Sequence, residues 1–141
     1  MLTSLIAGLL AAASVPHGDP GILGTWANPK NSVIVRTTRC GGSVCGRVVW
    51  ATPQAREDAA RKGGVHNLMG LELLRDYRPS GPHRWEGRAF VPDLGDEFES
   101  EMVQTGPNQI EINGCRFGGL VCKTQVWHRA NPPATPRGRR G

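Results

Sequence analysis

Four cysteines, four histidines and two close groupings of charged residues are the parts of this 141-residue chain whose types could do chemistry. The cysteines come in two local pairs: Cys40-Gly41-Gly42-Ser43-Val44-Cys45, and Cys115 with Cys122 flanking Gly118-Gly119. With Gly42-Ser43 in a tight turn, Cys40 faces Cys45. Cys115 and Cys122 stand three residues out on either side of their own Gly pair. Directly opposed Cα atoms lie ~4.5–5.5 Å apart, a span that a disulfide bridges. The expected pairs are Cys40–Cys45 and Cys115–Cys122, one of three connectivities that four cysteines allow. A zinc centre or a thioredoxin-like redox pair would call for C-x2-C spacing, and neither cysteine pair has it.

The other polar residues assemble no catalytic pattern. His17, His66, His83 and His128 show no i, i+4 ligand spacing. Ser43 lacks the G-x-S-x-G surroundings of an activated nucleophile. Asp93 and Asp96 could hold a cation, but Pro92-Asp93-Leu94-Gly95-Asp96 has the composition of a turn. Asp76, with Arg75 and Arg78, reads as a solvated strand edge. Trp50, Trp85 and Trp127 could line a ligand cavity, although indoles more often fill cores. No enzyme, metal or cofactor is expected.

The elements that must position these residues are short and β-like. Runs at Gly24–Ala27, Ser32–Arg39, Val44–Ala51, Leu71–Tyr77, Arg84–Phe90, Glu97–Gln104, Gln109–Asn113 and Val121–Arg129 are separated by Gly, Pro, Asn and Asp. Alternation is clearest in Gln109-Ile110-Glu111-Ile112-Asn113, the period of a half-buried antiparallel strand. Pro79-Ser80-Gly81-Pro82 is among the expected turns. Only Pro53–Lys62 reads as a helix. The fold class is therefore all-β: a small antiparallel eight-stranded barrel with one short helix.

The two ends differ from the middle. Met1–Ala13 carries no charged side chain and ends in Ala11-Ala12-Ala13 before Ser14, the pattern of a cleaved signal peptide. Export would keep the cysteines oxidised, placing the protein in the periplasm or outside the cell. No later apolar run reaches the ~20 residues of a transmembrane helix. Residues 130–141 contain Pro, Gly and Arg and no large apolar side chain, the composition of a disordered basic tail. The net charge is +5, and removing Arg137, Arg139 and Arg140 leaves +2. The basic excess thus sits mainly in the tail, which argues against nucleic acid and allows weak contact with an anionic membrane surface. The barrel domain spans 14–129.

Gly24-Thr25-Trp26, Cys45-Gly46-Arg47-Val48-Val49-Trp50, Gly70-Leu71-Glu72-Leu73-Leu74, Trp85-Glu86-Gly87 and Trp127-His128-Arg129 follow in order. This series resembles a family of small secreted bacterial proteins, the domain-of-unknown-function family two-one-four-seven, across nearly all of Gly21–Arg129. Two departures stand out: Asn67-Leu68 where the family usually has Asn-Pro, and Phe98 where it often has Tyr. A wider likeness is to lipocalin-type barrels, which open with Gly-x-Trp and place an Arg from the last strand over that indole. The resemblance implies that Trp26 and Arg129 close one barrel end as a cation–π pair.

An eight-stranded barrel is either filled by side chains or holds one small ligand. The leading expectation is an exported barrel that binds an apolar or amphipathic small molecule, with Trp50 and Trp85 at the open mouth. The alternative is an envelope interaction or structural protein with a filled barrel and no ligand.

Overall fold

The computed structural model describes residues 21–116, 119 and 121–133. The signal-peptide reading of Met1–Ala13 lies outside them, as do the last eight residues of the basic tail.

Eight strands and one helix follow in the order β1 (Gly24–Ala27), β2 (Val33–Cys40), β3 (Ser43–Ala51), α1 (Pro53–Gly63), β4 (Glu72–Gly81), β5 (Arg84–Val91), β6 (Asp96–Gly106), β7 (Gln109–Arg116) and β8 (Val121–Arg129). Each strand pairs antiparallel with the next, and β8 returns to β1, closing a barrel. Closure is brief. β1 meets β8 only at Trp26↔Arg129 and Ala27↔His128.

Local chemistry explains the connections. Asn28 starts the β1–β2 turn by accepting hydrogen bonds through Oδ1 from the Ser32 and Val33 amides, at 2.8 and 3.0 Å. Thr52 caps α1 by accepting from the Ala55 amide at 3.0 Å, Pro53 supplies the first turn, and Gly64 ends the helix at φ 72°. The helix buries Ala59 and brings Gly63 against Pro92 and Gly95 of the β5–β6 turn. α1 therefore crosses one end of the barrel, from β3 to that turn.

Two turns differ from the sequence expectation. The β2–β3 turn is Gly41-Gly42, because Cys40 pairs with Ser43 and Thr38 with Cys45. Gly41 at φ 65° supplies the left-handed first position that such a two-residue turn requires. β4 runs through Pro79-Ser80-Gly81, and the turn is Pro82-His83. Proline presets the first position and His83 adopts φ 58° at the second, the signature of a type II turn.

The core is continuous. Ile22, Trp26, Val35, Val44, Val48, Leu74, Tyr77, Trp85, Met102, Ile110, Ile112 and Trp127 are all buried, and Ala59 and Leu68 of the α1 region join them. Cross-strand ion pairs absorb much of the charge of the wall: outside, Arg75 and Arg88 share Glu97 and Arg84 meets Glu101, while Arg116 meets Asp96 on the face that also carries Phe98 and Ser100.

Candidate functional site

α1 crosses the end of the barrel at the β5–β6 turn, and the opposite end carries a cap. Residues 21–23 lie against it, and Ile22 is fully buried. The Ile22 carbonyl accepts from Trp26 Nε1 at 2.9 Å and from the Thr37 hydroxyl. Arg129 stacks over Trp26 with its guanidinium carbon 4.1 Å from the ring centroid. Its nitrogens donate to the carbonyls of Pro107 at 3.0 Å, Leu23 at 2.8 Å and Gly21. Gly24, at φ 137°, is where the guanidinium passes; a Cβ there would strike Arg129 Nη1. The cap thus ties together the entry to β1, the β6–β7 turn and the end of β8. Ala130, placed in the tail by composition, also belongs here: its amide donates to Thr25 at 3.2 Å and its carbonyl accepts from the Thr25 hydroxyl.

Residues paired directly across neighbouring strands share a face of the wall. One inward row near the cap joins Trp85, Met102, Ile112 and Gln125. The next row joins Gly87, Ser100, Gly114 and Lys123. Its interior orientation follows from Ser100, which is 8% exposed, and from the wholly buried Tyr77 against Gly87. From Gly87 to Gly114 the side chains of this row are small, although the Tyr77 ring fills the space over Gly87. A Cβ on Gly114 would meet nothing closer than Phe98 Cβ at 3.9 Å. The row then reaches solvent along β8, where Lys123 and Gln125 are exposed.

Tyr77 reaches this row through a β-bulge. Arg75 pairs with Arg88 and Arg78 with Glu86, so Asp76 and Tyr77 together oppose Gly87. Asp76 takes the bulge conformation at φ 55° and pairs with Arg78 at 3.0 Å. Gly87 has no side chain because the Tyr77 ring needs the space: a Cβ would lie 2.7 Å from Tyr77 Cγ and from the Arg75 carbonyl oxygen. The phenol and the Ser100 hydroxyl are both buried, and neither has a well-formed hydrogen bond. Burial pushes the Tyr77 phenol above its ordinary range, an effect that neighbouring Ser100 partly offsets.

The cysteines form Cys40–Cys45, with Cα atoms 6.0 Å apart, and Cys115–Cys122, at 4.1 Å. The second pair is directly opposed in register and the first is diagonal. Among the described residues, the cluster that places three potential metal ligands together is Cys40, Cys45 and Glu72. Both its sulfurs are committed to a disulfide, so it offers no thiolate.

The two indoles expected at the mouth are not brought together. Trp85 is buried beside the β4–β5 turn, on the capped side, opposite Met102 and Pro79. Trp50 lies near the other end of β3, half-buried and paired with Ile34. Asp96 is occupied by Arg116 at 2.7 Å and by the Glu97 amide at 2.8 Å. Ser43 donates to the Cys40 carbonyl at 3.1 Å, and His128 meets Asn31 at 3.0 Å. Sequence reasoning passed over Tyr77, Ser100 and Gly114.

Comparison with known proteins agrees with this architecture. Residues 24–129 match the family described as "Uncharacterized protein conserved in bacteria (DUF2147)". No curated protein matches. A solved structure with a similar fold is described as "Protein HP1028 from the human pathogen Helicobacter pylori belongs to the lipocalin family". It is 15% identical, with a TM-score of 0.62 over 78% of this chain and 83% of that one, a likeness of fold.

Proposed function

The chain belongs to that bacterial family of uncharacterised proteins, and from that premise we propose that it is an exported barrel binding an apolar or amphipathic small molecule in its interior. The lipocalin-like barrel is compatible with a small ligand. The observation that carries the reading is the asymmetry of the interior. The capped half is filled by Trp26, Trp85, Met102 and Ile110. The next row is small-walled at Ser100 and Gly114 and runs out to solvent at Lys123. Two disulfides fit an oxidising compartment, the periplasm or the cell exterior. Among the described residues no helix is long and apolar enough to cross a membrane.

The experiment is titration with N-phenyl-1-naphthylamine, an uncharged probe that fluoresces in apolar sites. Saturable binding at one site per chain supports carriage. Its absence would favour the alternative, a filled barrel acting in the envelope through its surface, which the dense packing of the capped half also suits.

A further inference from the structure

The buried part of the interior is mostly apolar, and within it two neighbouring hydroxyls have no well-formed hydrogen bond. Tyr77 Oη and Ser100 Oγ are inaccessible to solvent and unsatisfied. Each has the other as a polar neighbour, and the positions paired with them offer no further polar side chain: Tyr77 lies opposite Val44 on β3 and against Gly87, Ser100 between Gly87 and Gly114. An unpartnered buried hydroxyl is costly, and most buried polar atoms in folded proteins are satisfied. The backbone has also been bent to put the phenol there. The Asp76 bulge adds a residue to β4, and Gly87 gives up its side chain to make room for the ring.

Resting on the carrier reading, we infer that the Tyr77–Ser100 pair is the polar anchor of the interior site, and that it takes an uncharged ligand presenting a carbonyl oxygen. Both groups are neutral hydroxyls able to donate, so a single oxygen with two lone pairs satisfies both. A ligand charge placed between them would be buried beside no opposite charge, which is strongly unfavourable. The cations on this face are Lys123, two strands from Ser100 on β8 and exposed, and Arg116, one row beyond Gly114, where it stacks over Phe98 and pairs with Asp96. Gly114, next to Ser100, leaves the space through which the ligand chain continues toward the mouth.

The test is competition against bound N-phenyl-1-naphthylamine by 2-undecanone and by undecane, with wild type, Tyr77→Phe, Ser100→Ala and the double variant. Wild type should prefer the ketone about tenfold, the scale of one or two hydrogen bonds. The double variant should lower that preference to about twofold or less while keeping its affinity for the probe. The carbonyl stretch of bound, isotopically labelled ketone should lie at lower frequency in wild type than in Tyr77→Phe. Circular dichroism and thermal melts check that the variants fold; should one fail, the other single variant still decides the outcome. An unchanged ketone preference in the variants would overturn the inference. So would tighter competition by undecanoate than by its methyl ester, or a water bridging the two hydroxyls that persists in the ketone complex. If the probe itself does not bind, the carrier reading falls and takes the anchor with it. If the probe binds and the ketone gains nothing, the anchor alone falls.

Discussion

Arg129 lies over the Trp26 ring at 4.1 Å while its nitrogens reach the carbonyls of Leu23 and Pro107 at 2.8 and 3.0 Å. One side chain thereby stacks on the first strand and binds both the segment before it and the β6–β7 turn. Arg129→Ala should destabilise the protein by about 2–3 kcal/mol, from a lost cation–π contact and charge-assisted hydrogen bonds. Arg129→Lys should recover only part, since an ammonium cannot stack and fork together. Urea denaturation of the three proteins measures this.

Tyr77 is the only tyrosine in the chain, so tyrosinate absorbance near 295 nm reports it alone. Its folded pKa is raised by burial above the unfolded value near 10. The phenol is neutral in both states below pH ~10, so its contribution to stability is fully present there. As pH rises beyond the unfolded value the unfolded chain ionises first, and stability falls. The native protein should show little tyrosinate at a pH where the urea-unfolded protein is largely ionised. Tyr77→Phe should flatten the alkaline fall, and at pH 7 it should cost less than about 1 kcal/mol, because the deleted hydroxyl makes no well-formed hydrogen bond beyond its contact with Ser100.

Gly87→Ala should cost about 3 kcal/mol or more. Its Cβ would fall 2.7 Å from the Arg75 carbonyl oxygen and 2.8 Å from Tyr77 Cα, both backbone atoms that cannot swing aside. The double variant Gly87→Ala/Tyr77→Ala should remain destabilised, since those contacts survive loss of the ring. Thermal melts of both variants check the point.

Each disulfide closes a short loop, with separations of 5 and 7 residues. Loop-closure entropy puts the loss from removing either at about 2 kcal/mol. Alkylation of the unfolded, unreduced protein should modify no cysteine, and Cys→Ala pairs should unfold at correspondingly lower urea.

Much of the fold was legible because its signals are local. Gly24–Ala27 and Val121–Arg129 are the first and last strands, as their turn residues indicated, and the helix ends one residue beyond Lys62. Both disulfides follow from the hairpin spacing, even though the Cys40 turn is centred one residue earlier than expected. The approach of Tyr77 to Ser100 was hidden because it depends on a break in period two. Leu74 and Tyr77, both buried, are three residues apart on one strand, which regular alternation forbids. That odd spacing was the available sign of a bulge. The positions of Trp50 and Trp85 at opposite ends could not be read locally either, since they follow from strand direction and register around the whole barrel.

The seam between β1 and β8 gives the wall a mechanical character. Two residue pairs, Trp26↔Arg129 and Ala27↔His128, complete the circumference together with the Thr25–Ala130 hydrogen bonds, all beside the cap. The molecule is therefore less a rigid hoop than a cuff fastened by a clasp at one hem. The rest of β8, from Val121 to Trp127, is held in register by β7 on one side, with no β1 partner on the other.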